Sequence, residues 1–146
     1  MVLQVENRQK KVKIDRRRIR SKLGKLLGAL GCPDRELSVL FVGDEIMREL
    51  NRRFRGLDRT TDVLSFPMQE GLDSGVHPFL LGDVVISMDA ASRQARRRRH
   101  SLEKEMDVLL IHGVLHLLGY DHTGSERQRR EMRRRERQLL GIVAGS

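Results

Sequence analysis

Three of the five histidines in this 146-residue sequence fall in the stretch His112–His122, HGVLHLLGYDH. His112 and His116 stand four residues apart, so on a helix they project from one face about one turn apart and can share an ion. Gly119 lies between the second and third histidines, where a helix can stop in a left-handed cap. A chain that turns back there brings His122 to a third corner. Three imidazoles without a fourth protein ligand describe an open zinc site, with one position left for water or substrate. A structural zinc site would want four ligands and several cysteines, and this sequence has only Cys32. The bland alternative is a pair of satisfied histidines on an apolar helix. The triplet, set among Met106, Leu109, Leu110, Val114, Leu115, Leu117 and Leu118, favours the metal and places it on a buried, rigid element.

The spacing H-x3-H-x5-H, with glycine three residues after the second histidine, is also the ligand frame of the metzincin proteases. Those enzymes carry glutamate directly after the first histidine as general base, and here that position is Gly113. The geometry says metal while the missing carboxylate says different chemistry.

HGVLHLLGYDH resembles the signature of the YbeY family of bacterial endoribonucleases. The likeness extends upstream to Asn51, Phe54-Arg55, the run TDVLSFP from Thr61 to Pro67 and the run LGDVVIS from Leu81 to Ser87, and so covers Leu37 to His122. The resemblance implies a mixed sheet in a zincin-like arrangement and one Zn2+ ion held by His112, His116 and His122. It further implies catalysis by Arg55 and His116, single-strand-specific cleavage in small-subunit (16S) ribosomal RNA 3′-end maturation, and a part in ribosome quality control. The partners implied are single-stranded ribosomal RNA, the small ribosomal subunit and ribosome-assembly proteins. A guanidinium at Arg55 suits two-point capture of a phosphate and the charge developing on it. Thr61, Asp62, Ser65 and Asp121 are candidates for orienting the site; ordinary turn and strand roles would explain them equally. Metal-bound hydroxide, a substrate 2′-hydroxyl and a remote carboxylate all stand as candidate general bases.

These residues need elements to position them. Val2–Glu6 reads as a strand, and Asp15 as the N-cap of a helix through Leu30, with Ile19, Leu23, Leu26, Leu27 and Leu30 at helical spacing. The other face of that helix carries Arg16, Arg17, Arg18, Arg20, Lys22 and Lys25, expected first as a solvated face and second as an RNA-facing patch. Leu37–Val42 is continuously apolar enough for a central strand. Asp44 is the expected cap of a helix to about Arg53. Asp62–Phe66 reads as a strand that Pro67 confines to an end or edge, and Met68–Phe79 as a loop holding His77. Leu81–Ser87 reads as a fourth strand in which Gly82 permits a bulge or close approach. A helix from Asp89 runs into Arg96–His100, with His100 expected on its exposed face. Ser101 caps the histidine helix. Ser125 and Gln128 form a capping box for a final helix whose Arg127, Arg129, Arg130, Arg133, Arg134, Arg135 and Arg137 alternate with Glu126, Glu131 and Glu136, expected to be mostly solvated. The fold class expected is one α/β (α+β) domain over residues 1–146, with a four-stranded mixed sheet and about five helices.

Lysine and arginine number 29 against 20 acids, a net charge of +9. Such an excess suits a polyanionic partner. With four Phe, one Tyr and no Trp, an extended base-stacking platform is not expected, so RNA would be held chiefly through its backbone. No apolar run approaches a membrane span, no signal peptide is evident, and a single cysteine suits a reducing compartment; a soluble cytoplasmic protein is expected. Two rivals to the endoribonuclease remain. One is a zincin-type metallopeptidase or other metal hydrolase, and the other is a non-catalytic ribosome-associated factor.

Overall fold

The computed structural model describes residues 3–68, 79–120 and 124–144. His77, Asp121 and His122 lie outside the described residues. In chain order the elements are β1 (Leu3–Asn7), α1 (Arg16–Ala29), β2 (Glu36–Val42), α2 (Asp44–Arg55), β3 (Val63–Pro67), β4 (Leu80–Ser87), α3 (Met88–Arg98), α4 (Leu102–Leu117) and α5 (Glu126–Val143). The strands form one mixed sheet in the order β1-β2-β4-β3. β1, β2 and β4 are parallel, and β3 closes the edge antiparallel to β4. The expected α+β class, with four strands and five helices, is thus what the described residues form.

Strand alternation divides the core. Leu37, Val39, Phe41, Val84 and Ile86 face the larger cluster, built with α1, α4 and α5. Val42, Val85, Leu40, Leu64 and Phe66 face the other side, where Met47 and Leu50 of α2 cover them. α4 lies against the sheet on the first side and is also flanked by α3 and α5, with Lys22 of α1 reaching Asp107 on it. Leu109, Leu110, Ile111, Val114 and Leu115 are all buried, which explains why this helix is apolar nearly all round. Ser101 caps it by accepting from Lys104 N at 3.1 Å. It ends at Leu118, with Gly119 following at φ 93°, a conformation that favours glycine.

Where β4 enters the sheet, Glu36 pairs with Leu80 but Leu37 with Gly82, so one residue is extra and the strand bulges. Gly82 sits at φ 143°, and a Cβ there would meet Phe66 O at 2.2 Å. Pro67 ends the edge strand, where its missing N–H costs no ladder bond.

Two helix starts differ from expectation. The N-cap of α2 is Gly43, and Asp44 is its first residue. The Asp44 carboxylate instead takes Arg93 Nη1 at 2.6 Å, Ser87 Oγ at 3.0 Å and Thr60 Oγ1 at 3.1 Å. Ser87 caps α3, which begins at Met88 rather than Asp89. Asp89 accepts from Asp44 N at 2.8 Å and pairs with Lys11 at 3.0 Å, so the two helix N-termini are tied together. His100 is also not on the exposed face; it lies 3.1 Å from Glu105, a fully buried carboxylate that Arg98 also holds. A buried carboxylate is costly unless paired, and Glu105 recruits both groups. Among the described residues, no helix is long and apolar enough to cross a membrane.

Candidate metal centre

α4 brings His112 and His116 together as the four-residue spacing requires. Their Nε2 atoms lie 2.9 Å apart, with ring centroids 4.5 Å apart and the rings tilted by 60°. Two nitrogens bound to one tetrahedral zinc at about 2.0–2.1 Å would stand roughly 3.3 Å apart. A small rotation of either ring would bring the two nitrogens to that spacing, so the pair fits two corners of a zinc site. The third expected ligand, His122, is outside the described residues. Among those described, no group of three or more His, Cys, Asp or Glu gathers as a metal site.

Gly113, the residue following the first histidine, faces the sheet. A Cβ there would lie 2.6 Å from Val84 Cγ1, nearer than real side-chain contacts allow. The backbone of α4 thus packs directly on β4, and no carboxylate can stand at the position metzincins use for their base. Alanine at Gly113 should gain up to about 1 kcal/mol of helix propensity but suffer roughly 1–3 kcal/mol of overpacking against a stiff valine. We expect Gly113→Ala to lose about 2 kcal/mol net, because the contact is so short. The urea midpoint would report it, and a variant as stable as wild type would overturn this packing account.

Ser65 joins the edge strand to the same turn of α4, its Oγ donating to Gly113 O at 2.9 Å. Its own carbonyl accepts from Arg55 Nη2 at 2.7 Å. The Arg55 guanidinium lies over the Phe66 ring, 5.1 Å from the centroid. Arg55 at the end of α2 is thereby connected through one residue to the helix that carries the histidines. The order of these contacts explains the need for an edge strand here: only an edge leaves the Ser65 carbonyl open to a side chain.

The structure groups Thr61 and Asp62 elsewhere. Asp62 accepts from Gln94 Nε2 of α3 at 3.1 Å and from Val63 N at 2.8 Å, and Thr61 Oγ1 donates to Asp62 at 3.4 Å. Gly113 approaches Val84, while Leu117 approaches Gly82. Val84 pairs with Ser65 and Gly82 with Pro67, so from His112 to His116 the helix runs away from the Asp62 end of β3. Asp121 lies outside the described residues.

Two residues lie near the site that the sequence did not single out as part of it. Phe54 is 55% exposed beside Arg55 and meets Phe66 edge-on at 5.5 Å. Glu136 of α5, grouped by sequence among solvated charges, turns inward with its Oε1 3.6 Å from His112 Nδ1. The inward side of α5 was legible from Met132, Leu139 and Leu140, whose spacing puts Glu136 on the same face.

Fold and site together define a mixed-sheet α+β domain with a histidine pair on a buried helix and an arginine tied to that helix through the sheet edge. The model of the family described as "Endoribonuclease YbeY" matches residues 4–144. A relative of that description from Syntrophus aciditrophicus is 44% identical, covering 99% of this chain and 91% of its own. Another from Syntrophotalea carbinolica is 48% identical, covering 97% of this chain and 95% of its own. The solution structure of TM1509 from Thermotoga maritima superposes with a TM-score of 0.68 at 28% identity, covering 99% of this chain and 90% of that one. The chain belongs to the endoribonuclease YbeY family.

Proposed function

We propose that this protein is a zinc-dependent endoribonuclease that cuts single-stranded RNA, acting in small-subunit ribosomal RNA 3′-end maturation and ribosome quality control. The observation that carries the catalytic part is the convergence of His112 and His116 Nε2 on one side of α4. Family membership supports RNA as the substrate, and the net charge of +9 suits a polyanion. His112, His116 and His122 would hold the ion, which supplies Lewis-acid polarisation of a phosphoryl oxygen and activation of water. Arg55 presents a fixed cation, oriented by Ser65 O and the Phe66 face, to the phosphate and the charge that grows on it. Phe54, exposed beside it, offers a ring on which one unpaired base can stack. The close packing of Gly113 on Val84 weighs against the metallopeptidase, since that reaction's usual base has no room there.

The deciding experiment offers zinc-loaded protein a single-stranded ribosomal RNA fragment, the same sequence as a duplex, and a peptide substrate. Cleavage of the single strand alone is expected, lost on chelation and restored by zinc. Arg55→Ala should lower the rate about 10²–10³-fold with zinc content unchanged, the scale for removing one donor from a developing anion. RNA affinity should fall with salt by a log–log slope of about −0.7 per phosphate neutralised. Peptide cleavage would instead establish the peptidase. Specific binding of ribosomal particles without cleavage would establish the non-catalytic factor.

A further inference from the structure

We propose that Glu136 is a positioning residue for the metal centre: its carboxylate fixes the His112 ring through Nδ1 and so turns Nε2 toward the ion. The inference rests on reading His112 as a metal ligand, and it adds a residue from α5 to that site.

The observation is the sidedness of the His112 ring. Its Nε2 faces His116 at 2.9 Å, while its Nδ1 faces Glu136 Oε1 at 3.6 Å. The two nitrogens are on opposite edges of the imidazole, so Glu136 stands behind the nitrogen that would bind an ion. That placement suits it to accept from Nδ1–H. An imidazole with its proton held at Nδ1 has its lone pair at Nε2, the tautomer a metal needs. The separation of 3.6 Å is longer than a hydrogen bond, so the contact must close by about half an ångström when the ring turns to bind metal.

The setting of Glu136 argues against a bystander. Its side chain is only 24% exposed, on a helix whose other charges mostly face solvent. It occupies the packed side of α5, flanked by Met132, Leu139 and Leu140, and it lines the α4–α5 groove with Val108, Ile111, Arg133 and Arg137. By contrast Glu131, one turn earlier, lies exposed and pairs with Arg127.

The test is metal affinity, read without turnover. Zinc binding to wild type, Glu136→Ala, Glu136→Gln and Glu131→Ala is measured by competition with a chromophoric chelator. Cobalt spectra are recorded in parallel to report ligand geometry. Glu136→Ala should weaken zinc binding about 10–100-fold, the usual cost of losing a partner behind a ligating histidine. Glu136→Gln, which keeps an acceptor oxygen, should recover part of that loss, and Glu131→Ala should match wild type. A purely structural role would lower unfolding stability in Glu136→Ala while leaving the zinc constant and cobalt spectrum unmoved, and that result overturns the proposal. Wild-type protein that binds no zinc would overturn the metal reading and this proposal with it. Tight wild-type binding matched by Glu136→Ala overturns this proposal alone.

Discussion

His116→Ala is expected to abolish RNA cleavage and weaken zinc binding by more than about 100-fold while the fold survives. The lower bound follows from the groups behind the ligands, where losing a hydrogen-bond partner to a ligating histidine already costs roughly 10–100-fold. Removing a ligand itself must cost more. Survival of the fold follows from where the helix gets its stability. Leu109, Leu110, Ile111, Val114 and Leu115 are buried, whereas His116 is half-buried in the last turn, and alanine is the better helix former. Unfolding stability should therefore stay within about 1 kcal/mol of wild type. A useful control removes a histidine elsewhere. His100→Gln leaves an acceptor and a donor beside Glu105, and it should keep full zinc content and full cleavage. Zinc stoichiometry, far-UV circular dichroism and cleavage of a single-stranded fragment decide the matter. A His116→Ala protein that loses zinc but cleaves normally would make the metal structural; one that keeps both would remove His116 from the site.

What sequence could read here is what depends on neighbours close in the chain. The 3.6-residue period put His112 and His116 on one face of α4, and Ser101 and Ser125 marked their helices because caps act over three residues. The alternation in β2 and the arrest of β3 at Pro67 were legible for the same reason. What failed depends on partners far along the chain. Lys22 looked like one more cation on a basic face, yet its partner Asp107 is 85 residues away. Glu136 looked like an i,i+4 surface charge until α5 was docked on α4. Gly113 read as a missing catalytic carboxylate, and only the approach of Val84 shows that the position has no space to offer. Asp44 was expected to cap its own helix, but the arginine and hydroxyls that claim it come from α3 and the segments beside it. Residue type announced each of these groups as polar or small; only tertiary contact decided what it touches.

The same long-range ion pair gives a large expected stability effect. Lys22 is 3% exposed on α1, with Nζ 2.6 Å from Asp107 Oδ1 and 3.0 Å from Glu103 Oε1 on α4. Lys22→Ala leaves Asp107, itself 4% exposed, buried without its cation, and should cost about 3–5 kcal/mol. At the scale of roughly 2–4 °C per kcal/mol for a domain of about this size, the midpoint falls by roughly 6–20 °C. The pair is nevertheless a poor source of net stability. Burial pushes the Asp107 carboxyl up from its ordinary value, and the Lys22 hydrogen bond opposes this without cancelling it. In that window just above the usual carboxylate range the native state holds more protons than the unfolded one, so this group's contribution falls as pH rises. Asp44 has the opposite sign. Its Arg93 hydrogen bond holds the carboxyl below the ordinary value, so its contribution is present above that value and is lost as the solution becomes more acid. Arg93→Ala should therefore flatten the acid limb of the stability profile, and Asp107→Asn should remove the decline just above the carboxylate range. Replacing both members, Lys22→Met with Asp107→Leu, should recover most or all of the Lys22→Ala loss, because apolar groups of similar volume fill the α1–α4 seam without desolvating charge. Urea unfolding of the single and double variants tests this directly. A double variant as unstable as Lys22→Ala would mean that the seam needs the ion pair itself, and not merely the absence of an orphaned charge.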